Sequence, residues 1–300
     1  MAWIDDVQAF GESKQVKFER HIEIAGTDQS AVDLLSEATK LPKAVIKQAM
    51  TKGAVWLTRG SATQRIRRAD KALRTSDLLH IYYDEEVLQR QPAAAILIAD
   101  EGDYSIWYKP YGMLSQGSKW GDHCTINRWV EKRLQPQRPA LVIHRLDRAA
   151  TGLMIIAHRK KVAAYFAEQF RLRNVGKSYQ AIVHGRFQDT KTIDIPIEEK
   201  PALSHVSRIS YDAATDESLL EVVIETGRKH QIRRHLAEAG FPIVGDRLFG
   251  DTADRSERNL CLSACQLSFL APHDGERKIY KLPQELRPAF TCPAATPGNS

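Results

Sequence analysis

Between two apolar runs, Leu141-Val142-Ile143 and Leu153-Met154-Ile155-Ile156-Ala157, lies the charged stretch His144-Arg145-Leu146-Asp147-Arg148-Ala149-Ala150-Thr151-Gly152. It sets one carboxylate between two guanidiniums. Both flanking runs are short and rich in branched residues, so each predicts a buried strand. A carboxylate at such a junction is positioned by rigid elements yet left accessible, which suits a catalytic group. Taken alone, the stretch reads equally well as a charged connection between strands.

About eighty residues later comes a second polar cluster, Thr226-Gly227-Arg228-Lys229-His230-Gln231-Ile232-Arg233-Arg234-His235-Leu236, followed by Gly240 and by Gly245-Asp246. Leu219 to Ile224 predicts a strand ending near Gly227. A short helix is expected from about His230, with Ile232 and Leu236 on its apolar side and Gly240 as a left-handed C-terminal cap. Gly176-Lys177-Ser178-Tyr179-Gln180-Ala181-Ile182-Val183-His184-Gly185 leads into another strand, and Tyr108-Lys109-Pro110-Tyr111-Gly112 precedes all three clusters. In this order the four stretches resemble the RluA family of pseudouridine synthases, with its HRLDRxTSGL, KxYxAxVxG and TGRxHQIRxHL signatures followed by GxPIxGD. The resemblance covers about residues 100 to 285.

The resemblance implies isomerisation of uridine to pseudouridine in RNA. In that reaction the N-glycosidic bond breaks, the base turns in its pocket, and the bond reforms through carbon 5. No redox change or energy input occurs, so no cofactor is expected. By family position Asp147 is the essential ionised carboxylate, and Arg233 is its partner, favouring the charged form and orienting it. Tyr179 resembles the tyrosine that lies against the uracil. Arg145 resembles the arginine that fills the gap left by a flipped nucleotide. Ile232 is placed as an apolar wall, with His144, Arg228 and His230 as further substrate contacts. Two departures stand out: Ala149-Ala150-Thr151 replaces the usual small polar residues, and Ser263 stands where a histidine is frequent. His230 and His235 are five residues apart and do not share a helix face, which argues against a metal site.

The implied fold is α+β: a mixed, mostly antiparallel sheet with flanking helices and a central cleft, plus a small N-terminal α+β module. Within the chain's 300 residues and net charge of +6, the basic residues are unevenly spread. From Lys40 to Arg74 there are ten Lys and Arg against one acid, Asp70. Pro42 suits the first turn of a helix, Val45-Ile46 and Ala49-Met50 give it an apolar stripe, and Gly53 ends it. Strands are expected at 54–57 and 78–83. This region resembles an S4-type RNA-binding domain, with Lys43, Lys47, Lys52, Arg65, Arg67 and Arg68 as its RNA-binding residues.

The expected organisation is therefore an RNA-binding domain at 1–88, a linker at 89–100, a catalytic domain at 101–290 and a loose tail at 291–300. Hydrophobic content of 43% is ordinary for a globular protein, and no apolar run approaches a membrane span. Met1 to Asp6 lacks signal-peptide character. Cys124, Cys261, Cys265 and Cys292 show no disulfide or zinc spacing, which points to reduced thiols and the cytoplasm. The expected partner is RNA, with ribosomal RNA favoured over tRNA and no membrane, and the expected state is a monomer. Two other readings remain: a non-catalytic RNA-binding or chaperone protein on the same fold, and an unrelated enzyme with a carboxylate nucleophile, such as a hydrolase.

Overall fold

The computed structural model describes residues 16–26, 29–91, 93–250 and 257–290. Met1 to Asp6, Cys292 and the expected tail at 291–300 lie outside the described residues. Two compact units are formed, one from residues 1–91 and 116–128, the other from 92–115 and 129–300.

In the first unit, β1 (Lys17–Glu23), α1 (Ala31–Thr39), α2 (Lys43–Thr51), β2 (Val55–Arg59), β3 (Ala62–Arg65), β4 (Leu78–Asp84) and α3 (Glu85–Gln89) follow one another. The strands form an antiparallel sheet in the order β1-β4-β2-β3. Ser30 starts α1, its hydroxyl accepting from the Asp33 amide at 3.2 Å. Pro42 precedes α2, and Gly53 follows it at φ +84°. The apolar stripes of both helices, including Leu35, Ile46 and Met50, pack with Leu57, Leu79 and Ile81 of the sheet.

The second unit contains β5 (Ile96–Asp100), β6 (Tyr104–Lys109), β7 (Leu141–Val142), β8 (Thr151–Ala157), α5 (Lys160–Arg171), β9 (Gly176–His184), β10 (Thr190–Asp194), β11 (Leu203–Asp212), β12 (Glu217–Ile224), α6 (Gln231–Glu238), β13 (Leu262–Leu270) and β14 (Arg277–Lys281). Between β6 and β7 lies α4 (Ile126–Arg133), which begins in residues assigned to the first unit. Strand β5 occupies residues that the sequence reading placed in the linker.

The sheet runs β10-β11-β12-β9-β13-β8-β6-β5, with β14 on β13 and β7 on β8. Every pairing is antiparallel except β13 with β8, where Ser263 faces Thr151 and Ala264 faces Gly152. Leu153, Ile155 and Ala157 of β8 pack with Phe166 of α5 and Phe269 of β13 in the core. The run at 141–143 departs from its expected burial: β7 has two residues, half-buried, paired to the far end of β8. Residues 143–150 are therefore the connection of a hairpin. Among the described residues no helix is long and apolar enough to cross a membrane.

Gly152, at the start of β8, has a specific steric task. A Cβ there would lie 2.3 Å from the Ala264 amide nitrogen and 2.4 Å from its carbonyl oxygen, and φ is +114°. Only glycine lets the two parallel strands approach this closely. Gly152→Ala is expected to lose about 3 kcal/mol or more of stability, because backbone cannot yield as a side-chain end does. Urea unfolding would measure it; a loss under about 1 kcal/mol would show that the seam relaxes.

Candidate active site

Three of the four central strands deliver the site. The loop before β8 brings Asp147, β9 brings Tyr179, and the turn after β12 leads into α6 with Arg233. Their side chains line one cavity of about 890 Å³, together with His144, Arg145, Phe170, Lys177, Arg228, His230 and Ile232. That volume suits a nucleoside-sized ligand.

The loop holding Asp147 is pinned on both sides of it. The Ser115 hydroxyl accepts from the Leu146 amide at 3.0 Å and donates to the Leu146 carbonyl at 2.7 Å. On the other side, the Arg148 carbonyl accepts from the Gly112 amide at 2.9 Å and from Lys109 Nζ at 3.4 Å. Lys109 is fully buried and donates also to the carbonyls of Met113 and Pro110. Burial pushes its pKa down to about 7, against the pull of the Asp147 charge. His144 serves the same loop. Its Nε2 accepts from the Ile155 amide at 2.9 Å and its ring stacks on Phe170 at 4.7 Å. Burial, reinforced by the Lys177 charge, pushes its pKa down to about 3, so the ring is neutral at ordinary pH. Its polar edge therefore orders the loop, although the ring also lines the cavity.

Asp147 itself is left open. Arg233 Nη1 approaches one carboxylate oxygen at 3.6 Å and His230 Nε2 the other at 3.7 Å. Both distances exceed a hydrogen bond, so the lone pairs of the carboxylate stay available. Burial lowers the His230 pKa, opposed by Asp147.

The paired hydrogen bonds expected from Arg233 go elsewhere. Its Nε and Nη2 donate to the two oxygens of Asp246 at 2.8 and 2.6 Å. Burial opposes both charges. The fork-to-carboxylate bonds outweigh it, raising the arginine and lowering the aspartate, which also accepts from the Leu248 and Phe249 amides. Asp246 thus locks the guanidinium, leaving Nη1 aimed at Asp147. The Gly245-Asp246 pair was visible in the sequence; what it binds was not.

The rest of the cluster at 226–236 is scaffold. Gln231 Oε1 accepts from the Thr226 hydroxyl at 2.7 Å and the Arg228 amide at 3.0 Å, and its Nε2 donates to Leu203 O and Ser204 Oγ. His235 hydrogen-bonds Ser204 Oγ and the Ile195 carbonyl. Together these tie α6 to the sheet. His230 adopts a left-handed φ of +58° just before the helix. Arg228 lines the cavity and donates Nε to the Pro201 carbonyl.

Tyr179 is buried in the cavity wall, and burial together with the Asp147 charge raises its phenol pKa, so the hydroxyl keeps its proton. Ile232 is buried in the same lining, while Arg145 is exposed there without an ion pair among the described residues. Cys124, Cys261 and Cys265 are buried, and burial pushes the Cys265 thiol up to about 11.

The six basic residues of the first unit divide into two groups. Arg67 pairs with Asp122, and Arg65 lies 3.5 Å from the same carboxylate while donating to Gly53 O and Ser118 O and stacking over Trp56. Lys52 donates to the Leu88 carbonyl. The two arginines are engaged because residues 116–128 return an acid to them, which the basic run from 40 to 74 gives no sign of, while Lys52 is engaged by a backbone carbonyl. Lys43 is exposed but paired with Asp33 at 2.6 Å, Arg68 is exposed beside Asp70, and Lys47 is exposed.

Known proteins include clear relatives of this chain. Residues 103–238 match the RNA pseudouridylate synthase family. An uncharacterised RNA pseudouridine synthase of Chloroflexus aurantiacus is 39% identical over 163 residues, which cover 49% of this chain and 50% of that protein. The dual-specificity RNA pseudouridine synthase RluA of Vibrio vulnificus is 35% identical over 55% of this chain and 73% of its own. The ribosomal large subunit pseudouridine synthase C of Yersinia pestis is 28% identical over 83% of this chain and 86% of its own. The chain thus spans half of the first relative and most of the other two. Among solved structures, human RNA pseudouridylate synthase domain containing 1 has the same fold, with a TM-score of 0.56, 23% identity, and 66% of this chain and 88% of that one covered. With its loop carboxylate, wall tyrosine and locked arginine in one cleft, this chain belongs to the RluA family of RNA pseudouridine synthases.

Proposed function

We propose that the protein isomerises specific uridines of large-subunit ribosomal RNA, with Asp147 as the essential carboxylate. The observation that carries this is the state of Asp147: its loop is pinned on both sides, Arg233 Nη1 lies 3.6 Å from its carboxylate, and its carboxylate oxygens have no hydrogen bond among the described residues. Such a group is poised for a ligand. The target base cannot react while stacked, so it leaves the helix and enters the cavity. Tyr179 supplies an apolar face that tolerates rotation of the uracil between cleavage of the glycosidic bond at its N1 and reattachment to the ribose through its C5. Ile232 bounds the same space, and Arg145 can stack in the vacated gap.

The first unit is proposed as an S4-type RNA-binding module. Its exposed Lys47, Arg68, Lys71 and Arg74 would neutralise phosphates, giving affinity and register rather than base reading. A ribosomal target is favoured because the Yersinia pestis relative, named for the ribosomal large subunit, matches across most of both chains. The test is carbodiimide mapping of pseudouridine in unmodified ribosomal RNA and tRNA after incubation with the purified protein. Stops in large-subunit RNA support the proposal. Stops confined to tRNA would move the target there, and none in either RNA would favour a binding protein without catalysis.

A further inference from the structure

Six cations besides Arg233 line the cavity: Arg145, Arg171, Arg173, Lys177, Arg228 and Lys229. Arg171 is bound by Glu168, and Arg228 is engaged by the Pro201 carbonyl. Arg145, Arg173 and Lys229 are exposed to water, which satisfies them. Lys177 is the exception. It is half-buried and has neither a hydrogen bond nor an ion pair among the described residues. Drawing an ammonium out of water without a counter-anion is unfavourable, and an anionic ligand offsets that cost.

We propose that Lys177 binds a phosphodiester of the RNA strand carrying the target uridine. This rests on the pseudouridine synthase reading. Lys177 and Tyr179 stand two residues apart on β9 and so project to the same face, both into the cavity. The ammonium is held over the Phe170 ring at 5.6 Å, and Phe170 stacks in turn on His144 of the catalytic loop. It also lies beside the turn at Gly227, where a Cβ would come within 3.7 Å of Nζ. The cation is thereby fixed relative to both the uracil-facing tyrosine and the loop of Asp147. Uracil and ribose are neutral, so the anion that a nucleotide brings to this wall is its phosphate. Burial lowers the pKa of Lys177 with no carboxylate to oppose it, consistent with a cation awaiting its partner.

The experiment compares wild type with Lys177→Gln, Lys177→Met and Lys177→Arg, using a large-subunit ribosomal RNA transcript, with equilibrium binding and pseudouridine formation each measured across a salt series. Both neutral variants should lose roughly 10-fold or more in kcat/KM, chiefly through KM. Their log–log salt dependence of binding should be shallower by about 0.7 to 0.9, the signature of one lost phosphate contact. Lys177→Arg should restore most of both. Unchanged KM and salt slope in the neutral variants would overturn the proposal. So would a fall in kcat with the salt slope intact, which would place the lysine in the chemistry or the scaffold. If wild type forms no pseudouridine, the isomerase reading fails, yet the salt slope of binding still decides the role of Lys177.

Discussion

Asp147→Ala should lower pseudouridine formation by more than about 10³-fold, as loss of an indispensable catalytic group does, while RNA binding is kept or slightly strengthened. Binding survives because the phosphate contacts are untouched and one negative charge near the RNA is removed. Stability should also survive. Among the described residues the carboxylate makes only the long approaches to Arg233 and His230, at 3.6 and 3.7 Å, and Arg233 keeps both of its hydrogen bonds to Asp246. Asp147→Asn, which preserves shape and removes charge, should be as inactive. The measurement is pseudouridine formation under single turnover, beside thermal unfolding and RNA binding of the same preparations. Turnover near the wild-type rate in either variant would remove Asp147 from the mechanism.

Asp246→Ala should instead strike stability and activity together. Arg233 and Asp246 are both buried, and removing the aspartate strands a guanidinium away from water. Breaking a buried pair in this way costs about 3 to 5 kcal/mol. Activity should fall as well, since Nη1 of Arg233 points at Asp147 only while the other two nitrogens are held. A double variant, Arg233→Met with Asp246→Leu, separates the two effects. It replaces the ion pair by apolar volume and should recover most of the stability, but it leaves Asp147 without its cation and should remain inactive. Chemical denaturation and single-turnover assays would resolve these outcomes. An Asp246→Ala protein of wild-type stability and rate would refute the locking role.

Residues near one another in sequence were read well. The helix after Pro42, the strands at 55–59 and 78–84, the helix from Gln231 and the left-handed Gly240 follow from apolar spacing and local backbone preference. The strand expected at 141–143 shrank to two half-buried residues, paired to β8 at Ile156 and Ala157. Asp147, Tyr179, Ile232 and Arg233 were legible as a group because family motifs keep their order, and the fold gathers them in one cavity. Ser115 gave no signal at all: one serine among many, it matters because the chain returns it to Leu146.

By itself, then, the sequence determined the elements, the charged loop and the kinds of side chain available for chemistry, since periodicity, capping and side-chain type are local properties. Tertiary structure decided the partners. Arg233 is locked by Asp246 rather than by Asp147, and Arg65 and Arg67 are spent on Asp122 rather than left free. Lys177 remains half-buried with neither a hydrogen bond nor an ion pair among the described residues. Hydrogen bonds and ion pairs are settled by distances of a few ångströms between segments far apart in the chain, and those distances exist only once the strands have paired and the helices have docked.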